Sequence, residues 1–224
     1  MLDIMYKNKN LVVVYKPPGM PTQSDTSGDA DAMSMTSREL SRLGEPSELW
    51  LVHRLDRVVG GLIVFARNKR TAANLSELVG GNGMEKEYLA VVEGRAEGGI
   101  LQDYIYKDSA KGKAFVVDKA RKGAKMAELE YSAIAEADTE RGIYTLVKIK
   151  LHTGRFHQIR VQFASRRMSL VGDGKYGSHD NKSKMPALFA ARLAFKTENE
   201  EADVRRLPDI NEYPWSLFDK ENYE

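Results

Sequence analysis

The sequence predicts an α+β fold built on a mainly antiparallel sheet, and three observations support that prediction. Short apolar or alternating runs typical of strands outnumber the segments with helical spacing, and the connections between them have the length of hairpin loops. The 224 residues, of which 42% are hydrophobic, are enough for one domain with a sizeable core. We predict a single domain over residues 1–224, with a recognisable core at about 11–195 and an acidic C-terminal segment at 196–224.

The N-terminal part of the chain is predicted to hold three strands, a polar loop and two helices. The run Leu-Val-Val-Val-Tyr at 11–15, with three β-branched valines, indicates a strand that ends at a Lys-Pro-Pro-Gly turn. Asn68 can cap the second helix, and Gly80 and Gly81 can end it. In chain order we predict a strand at 11–15, a loop at 23–37, a short helix at 38–43, strands at 49–52 and 61–66, and a helix from about 69 to 79.

The C-terminal part is predicted to consist of strands and one helix. Gly154 interrupts the strand pattern, and Ile159 and Phe163 then follow at a helical spacing that places both on the buried side. The predicted strands are 88–92, 114–117, 127–135, 143–151 and 187–195, and the helix covers about 155–165.

The composition excludes several classes of site. The absence of cysteine excludes disulfides, iron–sulfur clusters and cysteine-based zinc sites. The four histidines have no metal-ligand spacing, so we predict no metal. Residues 1–10 lack the apolar core of a signal peptide, and no apolar run approaches the roughly 20 residues needed to cross a bilayer. We therefore predict a soluble, cytoplasmic protein with no membrane partner.

The net charge of +2 hides an uneven distribution of charge along the chain. Residues 107–125 contain seven basic and two acidic side chains, and residues 153–167 contain four arginines and no acidic residue. The segment 198–224 has nine acidic and three basic side chains. A basic face with an acidic margin suits a polyanion that docks in one orientation. The alternative is ordinary solvated charge on strands and loops.

Two segments of the first half combine polar groups with an apolar frame. Asp56 ends the run His-Arg-Leu-Asp, where a predicted strand passes into a loop before Gly60 and Gly61. That position can present a reactive carboxylate on a rigid support, although a local salt-bridge cluster is the alternative. Tyr88 opens an apolar strand, where it could stack on a nucleobase or simply be half-buried in the sheet.

Two further segments lie in the second half. Residues 153–160, Thr-Gly-Arg-Phe-His-Gln-Ile-Arg, place a glycine turn before a predicted helix start, where backbone donors and arginines attract anions. Arg155 and Arg160 are five positions apart and cannot share one face, so an inward arginine needs an anionic partner, for which Asp56 is a candidate. The alternative is an amphipathic surface helix. The glycine-rich run 172–177 does not match a phosphate-binding loop and is interpreted mainly as backbone geometry.

Taken together, these segments resemble the RluA-type family of RNA pseudouridine synthases. The family's K-P-x-G matches residues 16–19, its H-R-L-D matches 53–56, and its K-x-Y matches 86–88. Its T-G-R-x-H-Q-I-R-V matches 153–161, and its G-D-x-x-Y-G matches 172–177. The resemblance extends from about 11 to 195 and implies the pseudouridine synthase fold, a mixed and mainly antiparallel sheet flanked by helices and loops around a central active-site cleft.

The resemblance also implies an activity. Such enzymes detach uracil from its ribose, rotate it and rejoin it through carbon, without a cofactor or a metal. Asp56 would be the catalytic carboxylate, acting either as a nucleophile on the sugar or as a base that removes a ribose proton. Tyr88 would stack on the target base, and Arg160 would pair with Asp56. The base would be flipped out of its stack, because the glycosidic bond is inaccessible inside a helix.

The partner implied by the resemblance is structured RNA, either ribosomal or transfer RNA, bound by a monomer. Arg54 would hold or replace the flipped nucleotide. The other residues predicted to bind the substrate are His53, Arg155, His157 and Gln158.

The chain departs from the family's pattern at three places. Val59 and Gly60 replace a Thr-Ser pair, Gln162 replaces a histidine, and residues 167–169 replace a Gly-His-Pro. Ten residues precede the first predicted strand, so we expect no N-terminal S4 RNA-binding domain.

Two other functions remain open. One is a catalytically inactive RNA-binding protein or RNA chaperone that keeps the same fold. The other is a carboxylate-dependent glycosidase, which would need a second carboxylate as its acid.

Overall fold

A computed structural model describes residues 2–81 and 83–223. These residues form eleven strands, in chain order β1 (Ile4–Lys7), β2 (Leu11–Lys16), β3 (Trp50–Leu51), β4 (Gly60–Ala66), β5 (Met84–Glu93), β6 (Gly98–Asp108), β7 (Lys113–Val117), β8 (Lys125–Thr139), β9 (Gly142–Leu151), β10 (Leu188–Lys196) and β11 (Glu201–Arg205). The α-helices are α1 (Ala32–Arg42), α2 (Lys69–Gly80) and α3 (Gln158–Ala164). The combination of these strands and helices confirms the predicted α+β class. Within the described ranges, no helix has both the length and the apolar character that a membrane span requires.

The chain divides into two compact units. The first contains the residues up to Lys86 together with Ala190–Arg206, and the second contains Glu87–Phe189 together with the residues from Leu207 onwards. The chain passes from one unit to the other within β5 and again within β10. The single catalytic domain expected from the sequence remains a prediction.

In the first unit, β2 lies between β1 and β4 and pairs with both in antiparallel fashion. The two-residue strand β3 pairs with β4, and β11 pairs with β10. Every residue of β4 is buried, because its β-branched and aromatic side chains fill both faces. Leu75 of α2 packs into the same apolar cluster as Leu62 and Val64 of β4. This buried strand is a rigid support for the loop that precedes it.

The second unit is an antiparallel sheet in the order β5-β9-β8-β6-β7. Residues of β8 alternate strictly at its start, with Ala127, Leu129 and Tyr131 buried and Met126 and Glu130 exposed. Helix α3 packs on the buried face, where Val161 joins the apolar cluster of β6, β7 and β8.

The C-terminal residues are fastened to the second unit by a buried carboxylate. Asp180 accepts hydrogen bonds from the hydroxyl groups of Tyr144, at 2.7 Å, and of Tyr213. Burial, with the hydrogen bond to Asp180, raises the pKa of Tyr213 to about 12 and that of Tyr144 further, so both hydroxyls remain protonated donors. Two 3-10 turns follow, Trp215–Leu217 and Lys220–Tyr223.

Several predicted elements are confirmed. The strands predicted at 11–15 and 143–151 are present as β2 and β9. The helix predicted at 69–79 is α2, and the side chain of Asn68 caps it by accepting from the backbone N–H of Thr71 at 2.8 Å.

Two predicted boundaries are wrong. The segment 23–37 is not entirely a loop, because α1 begins at Ala32 and runs to Arg42 rather than starting at 38. Asp31 caps that helix through the backbone N–H of Ser34, and its buried stripe includes the polar residue Thr36, which an apolar pattern does not reveal. The strand predicted at 49–52 is reduced to two residues in β3.

The predicted start of the third helix, at about residue 155, is also wrong. The helix begins at Gln158 rather than 155, because His157 has a left-handed backbone with φ 53° that ends the preceding turn. The strands β1, β6 and β11 were not predicted. Glycines open β6 and polar residues dominate β11, so neither has the run of β-branched residues that indicates a strand.

Candidate active site

The loop that carries Asp56 is held from both sides of that residue. The backbone N–H of Val59 donates to the carbonyl of Asp56 at 3.0 Å, which closes a tight turn ahead of β4. On the other side, Thr22 holds buried Leu55 twice: its hydroxyl donates to the Leu55 carbonyl at 3.0 Å and accepts from the Leu55 N–H at 3.2 Å. The position of Asp56 is therefore fixed by backbone contacts and not by its own side chain alone.

The Lys-Pro-Pro-Gly turn supports the same loop. The ammonium of Lys16, a fully buried side chain, donates to the carbonyls of Pro17 at 3.1 Å, Met20 at 2.8 Å and Arg57 at 3.2 Å. The N–H of Gly19 also donates to the carbonyl of Arg57, at 2.8 Å. The turn and the His-Arg-Leu-Asp loop are thus joined through the residue directly after Asp56.

Lys16 also affects the electrostatics of the loop. Burial lowers the pKa of Lys16 to about 8, the carboxylate of Asp56 acts in the opposite direction, and the charge of Arg57 lowers it slightly. At neutral pH the ammonium remains charged. A buried cation therefore acts on Asp56 and favours its ionised form. Neither Lys16 nor Thr22 was among the site residues predicted from the sequence. The match to the K-P-x-G motif was the only signal for Lys16.

His53 is tied to the strand behind the loop. Its Nε2 accepts from the backbone N–H of Val64 in β4 at 3.4 Å, which makes Nε2 the unprotonated nitrogen. Burial, with the nearby charge of Lys86, lowers the pKa of His53 to about 3, so the ring is neutral at physiological pH. Arg54, by contrast, is exposed. The substrate-binding roles of both residues remain predictions.

In the second unit, Arg160 has a buried anionic partner. Its Nε lies 2.6 Å from one oxygen of Asp173 and its Nη2 lies 2.8 Å from the other, which is a bidentate ion pair. Both side chains are buried, Asp173 almost completely. The guanidinium also lies 5.1 Å from the ring centroid of Tyr176. The prediction that one arginine of the motif turns inward and needs a carboxylate is confirmed, and Asp173 is a partner that was not predicted from the sequence.

The glycine-rich run 172–177 contributes both a required backbone geometry and two side-chain contacts. Gly172 has φ +80°, and a Cβ there would lie 2.4 Å from the carbonyl oxygen of Met185, so the interpretation as backbone geometry is correct for that residue. Asp173 and Tyr176, in contrast, supply side chains: Asp173 pairs with Arg160, and the Tyr176 hydroxyl lies 2.8 Å from Nδ1 of His157.

The other polar residues of the arginine motif hold its turn. The amide oxygen of Gln158 accepts from the Thr153 hydroxyl at 2.7 Å and from the Arg155 N–H at 3.0 Å, and its nitrogen donates to the Glu128 carbonyl at 3.0 Å. Arg155 is exposed, and its Nε donates to the carbonyl of Met126 at 2.8 Å. The substrate contacts predicted for Gln158 and Arg155 remain predictions.

His157 is neutral like His53. Burial and then the charges of Arg160 and Lys175 lower its pKa to about 3. Its ring stacks on Phe156 with centroids 3.8 Å apart. The predicted substrate contact of His157 also remains a prediction.

The three residues predicted to be catalytic lie in different units. Asp56 belongs to the first unit, and Tyr88 and Arg160 belong to the second. Tyr88 is buried in β5, opposite Ile149 of β9. The pairing of Arg160 with Asp56 and the place of Tyr88 beside them remain predictions. Within residues 2–81 and 83–223, no group of three or more His, Asp or Glu side chains is arranged to hold a metal ion.

Comparison with known proteins gives a consistent result. A family model described as RNA pseudouridylate synthase matches residues 10–165. An uncharacterized RNA pseudouridine synthase of Aquifex aeolicus is 35% identical over 182 residues, which are 79% of this chain and 56% of the relative. A tRNA pseudouridine synthase C of Haemophilus influenzae is 30% identical over 210 residues, covering 89% of this chain and 86% of the relative. The chain thus spans little more than half the length of the Aquifex relative.

A solved structure has the same fold. Human RNA Pseudouridylate Synthase Domain Containing 4 superposes with a TM-score of 0.76 and 23% identity, covering 96% of this chain and 90% of the human chain. At that identity the likeness concerns the fold, and it agrees with the fold that the motifs predicted.

Proposed function

Because the chain belongs to the RluA-type family of RNA pseudouridine synthases, we propose that it isomerises a uridine of structured RNA to pseudouridine, with Asp56 as the catalytic carboxylate. The observation that carries the proposal is the construction around Asp56. Its loop is anchored to the backbone by Thr22 and to a neighbouring turn by Lys16, whose buried ammonium favours the charged carboxylate. A reactive group on a rigid support is what catalysis requires.

The reaction breaks one bond and forms another on the same ribose. The bond from uracil N1 to C1′ breaks, the base rotates, and a bond from C5 to C1′ forms. The C5 proton then leaves and N1 takes one up, so the atomic composition does not change. Asp56 is required in its ionised form whether it attacks the sugar or removes a ribose proton.

Tyr88 and Arg160 have the supporting roles in this proposal. Tyr88 stacks on the base, and Arg160 keeps the carboxylate ionised and oriented. The substrate is transfer or ribosomal RNA, and the name of the Haemophilus relative supports the former. We also propose that the protein acts as a cytoplasmic monomer, which light scattering of the purified protein and its fractionation from cells would test.

The experiment that tests the proposal compares Asp56→Asn and Asp56→Ala with the wild-type protein. The substrate is cellular RNA that carries tritium at C5 of uridine and comes from cells lacking this protein. Wild-type protein is expected to release tritium, and both variants should release at least about a thousandfold less while binding RNA with similar affinity. Release by pure Asp56→Ala protein would contradict the role of Asp56.

The same assay separates an enzyme from an inactive RNA-binding protein. Salt-sensitive RNA binding without tritium release from any RNA fraction by the wild-type protein would contradict the proposed activity and favour the binding protein.

A further inference from the structure

The outer face of the β6–β7 hairpin and the start of β8 differs from an ordinary solvated sheet surface. Neighbouring strand residues alternate between the two faces, and Ile105 and Ala114 are buried on the inner face beside α3. The opposite face presents Tyr104, Tyr106 and Phe115, with Tyr106 directly opposite Phe115 in the register. Each of the three rings is only partly buried. Three aromatic rings are thus grouped on a face directed towards solvent.

Each ring has a cation close to its face. The guanidinium of Arg121 lies 4.0 Å from the Tyr106 centroid, and the ammonium of Lys119 lies 6.0 Å from the Tyr104 centroid. The ammonium groups of two lysines, Lys111 and Lys113, lie 5.7 Å and 5.9 Å from the Phe115 centroid. The segment 107–125 that supplies these cations has seven basic and two acidic residues. Rings and positive charge therefore occur together.

The remainder of the same face shows the contrast. Met126 lies opposite Tyr104, and Glu130, four residues further along β8, lies opposite Lys150 of β9. Lys148 and Lys150 are exposed; Lys148 lies between Ser132 of β8 and Leu89 of β5, and Lys150 lies between Glu130 and Glu87 of the same strands. That mixed charge is typical of a solvated surface, so the excess of cations and rings is confined to the hairpin end.

We propose that this aromatic-basic face, Tyr104, Tyr106 and Phe115 with Lys111, Lys119 and Arg121, binds an unpaired stretch of RNA. Bases stack on rings without regard to sequence, and phosphates pair with the cations beside them. The exposed Arg155, whose Nε bonds the Met126 carbonyl, adds a further cation at the margin of this face. The inference rests on the proposed function and deepens it, because it assigns a surface that holds RNA outside the predicted catalytic residues.

The test measures binding of a short fluorescent single-stranded RNA by anisotropy, with a duplex of the same sequence as the second probe. One variant replaces Tyr104, Tyr106 and Phe115 by leucine, which keeps apolar bulk and removes the π-face. Loss of stacking is expected to weaken binding of the single strand by at least about tenfold and to weaken binding of the duplex much less. Melting temperature and circular dichroism check that the variant is folded.

A second comparison isolates the charges with a matched control. Lys119→Gln with Arg121→Gln removes two cations from the aromatic-basic face, and Lys148→Gln with Lys150→Gln removes two from the solvated part of the same sheet. The first pair is expected to reduce the slope of log affinity against log salt by up to about 1.4, whereas the control leaves it nearly unchanged.

Several outcomes would overturn the inference. Leucine variants that bind the single strand as well as wild type would show that the lysine and arginine stems merely cover the rings. Equal effects of the two cation pairs, or preferential binding of the duplex, would show non-specific attraction to charge. Tritium release is measured separately. If the protein binds RNA through these rings but forms no pseudouridine, the proposed activity is contradicted and the proposed binding face is not.

Discussion

Lys16 shows how a single residue can serve both the fold and the proposed chemistry. Its ammonium satisfies three backbone carbonyls of the loops around Asp56, and it remains charged at neutral pH although burial lowers its pKa to about 8. A buried charge without partners would be very costly, and here the three carbonyls satisfy the ammonium, which an apolar group of the same length could not do. The same charge also acts on the carboxylate of Asp56, so one side chain both holds the loop backbone and favours the ionised carboxylate.

Replacing Lys16 by methionine is expected to raise the pKa of Asp56, because a buried cation that acts on its carboxylate is removed. The acid limb of the pH profile of kcat/KM should move to higher pH by about one unit, with lower activity at pH 7. Lys9→Met, which removes an exposed lysine of the same unit, is the control and should leave the profile in place. An unmoved acid limb in Lys16→Met would mean that Lys16 only supports the backbone.

Asp173 is expected to act as a positioning residue through Arg160. Asp173→Asn keeps the shape of the side chain but breaks a buried bidentate ion pair, so we expect the free energy of unfolding to fall by about 3 kcal/mol. At a temperature where the variant is folded, kcat should be at least about tenfold lower, with little change in KM. The discriminating measurement is a double-mutant cycle with Arg160→Lys. If Asp173 acts through Arg160, its replacement costs little further kcat in that background; additive losses would contradict the assignment.

The sequence could predict which residue types carry the chemistry but not all of their contacts. Asp56, Tyr88 and Arg160 stand in recognisable motifs, and the need of an inward arginine for a carboxylate follows from the cost of burying a charge. The contacts of Asp173 and Thr22 could not be predicted, because their partners are 13 and 33 residues away in the chain. No local pattern indicates such pairs.

At the scale of elements, β4 depends on one glycine. Gly61 has φ +126°, and a Cβ there would lie 2.4 to 2.7 Å from the backbone of Ala190. Gly61→Ala is expected to lower the free energy of unfolding by about 3 kcal/mol or more, since it combines backbone strain with a clash against immobile atoms. Urea denaturation measures the loss.

The matched control for that substitution is Gly80→Ala at the end of α2. Open space surrounds Gly80, and its backbone is helical, so alanine should be neutral or stabilise by up to about 1 kcal/mol. A Gly61→Ala protein as stable as the wild type would show that β10 can move away from β4 at little cost.

Elements with a strong local signal were predicted, and those that depend on distant partners were not. Helix α2 has an Asn cap and terminal glycines, and β2 has four consecutive β-branched or leucine residues, so both were identified nearly to the residue. Strand β6 pairs with both β7 and β8, yet its own sequence begins with two glycines and contains polar residues. Its partners, rather than its propensity, make it a strand.

For the whole molecule, the two neutral histidines make stability dependent on pH. His53 in the first unit and His157 in the second each have a pKa of about 3, compared with an ordinary value near 6.5. Below pH 6.5 the unfolded chain takes up a proton at each position, whereas the folded chain remains unprotonated until about pH 3. The unfolded state therefore binds more protons in that window, and stability must fall as the pH falls.

The expected loss is at most about 1.4 kcal/mol per pH unit for each histidine, measured by urea denaturation from pH 7 to pH 4.5. His53→Asn keeps an oxygen that can accept from Val64 but removes the titrating group, so its curve should be flatter than wild type by about that slope. His179→Gln alters an exposed histidine and should reproduce the wild-type curve. If stability falls with pH as steeply in His53→Asn as in His179→Gln, then His53 takes up its proton in the folded protein. A neutral His53 ring would then not be required to hold the loop of Asp56.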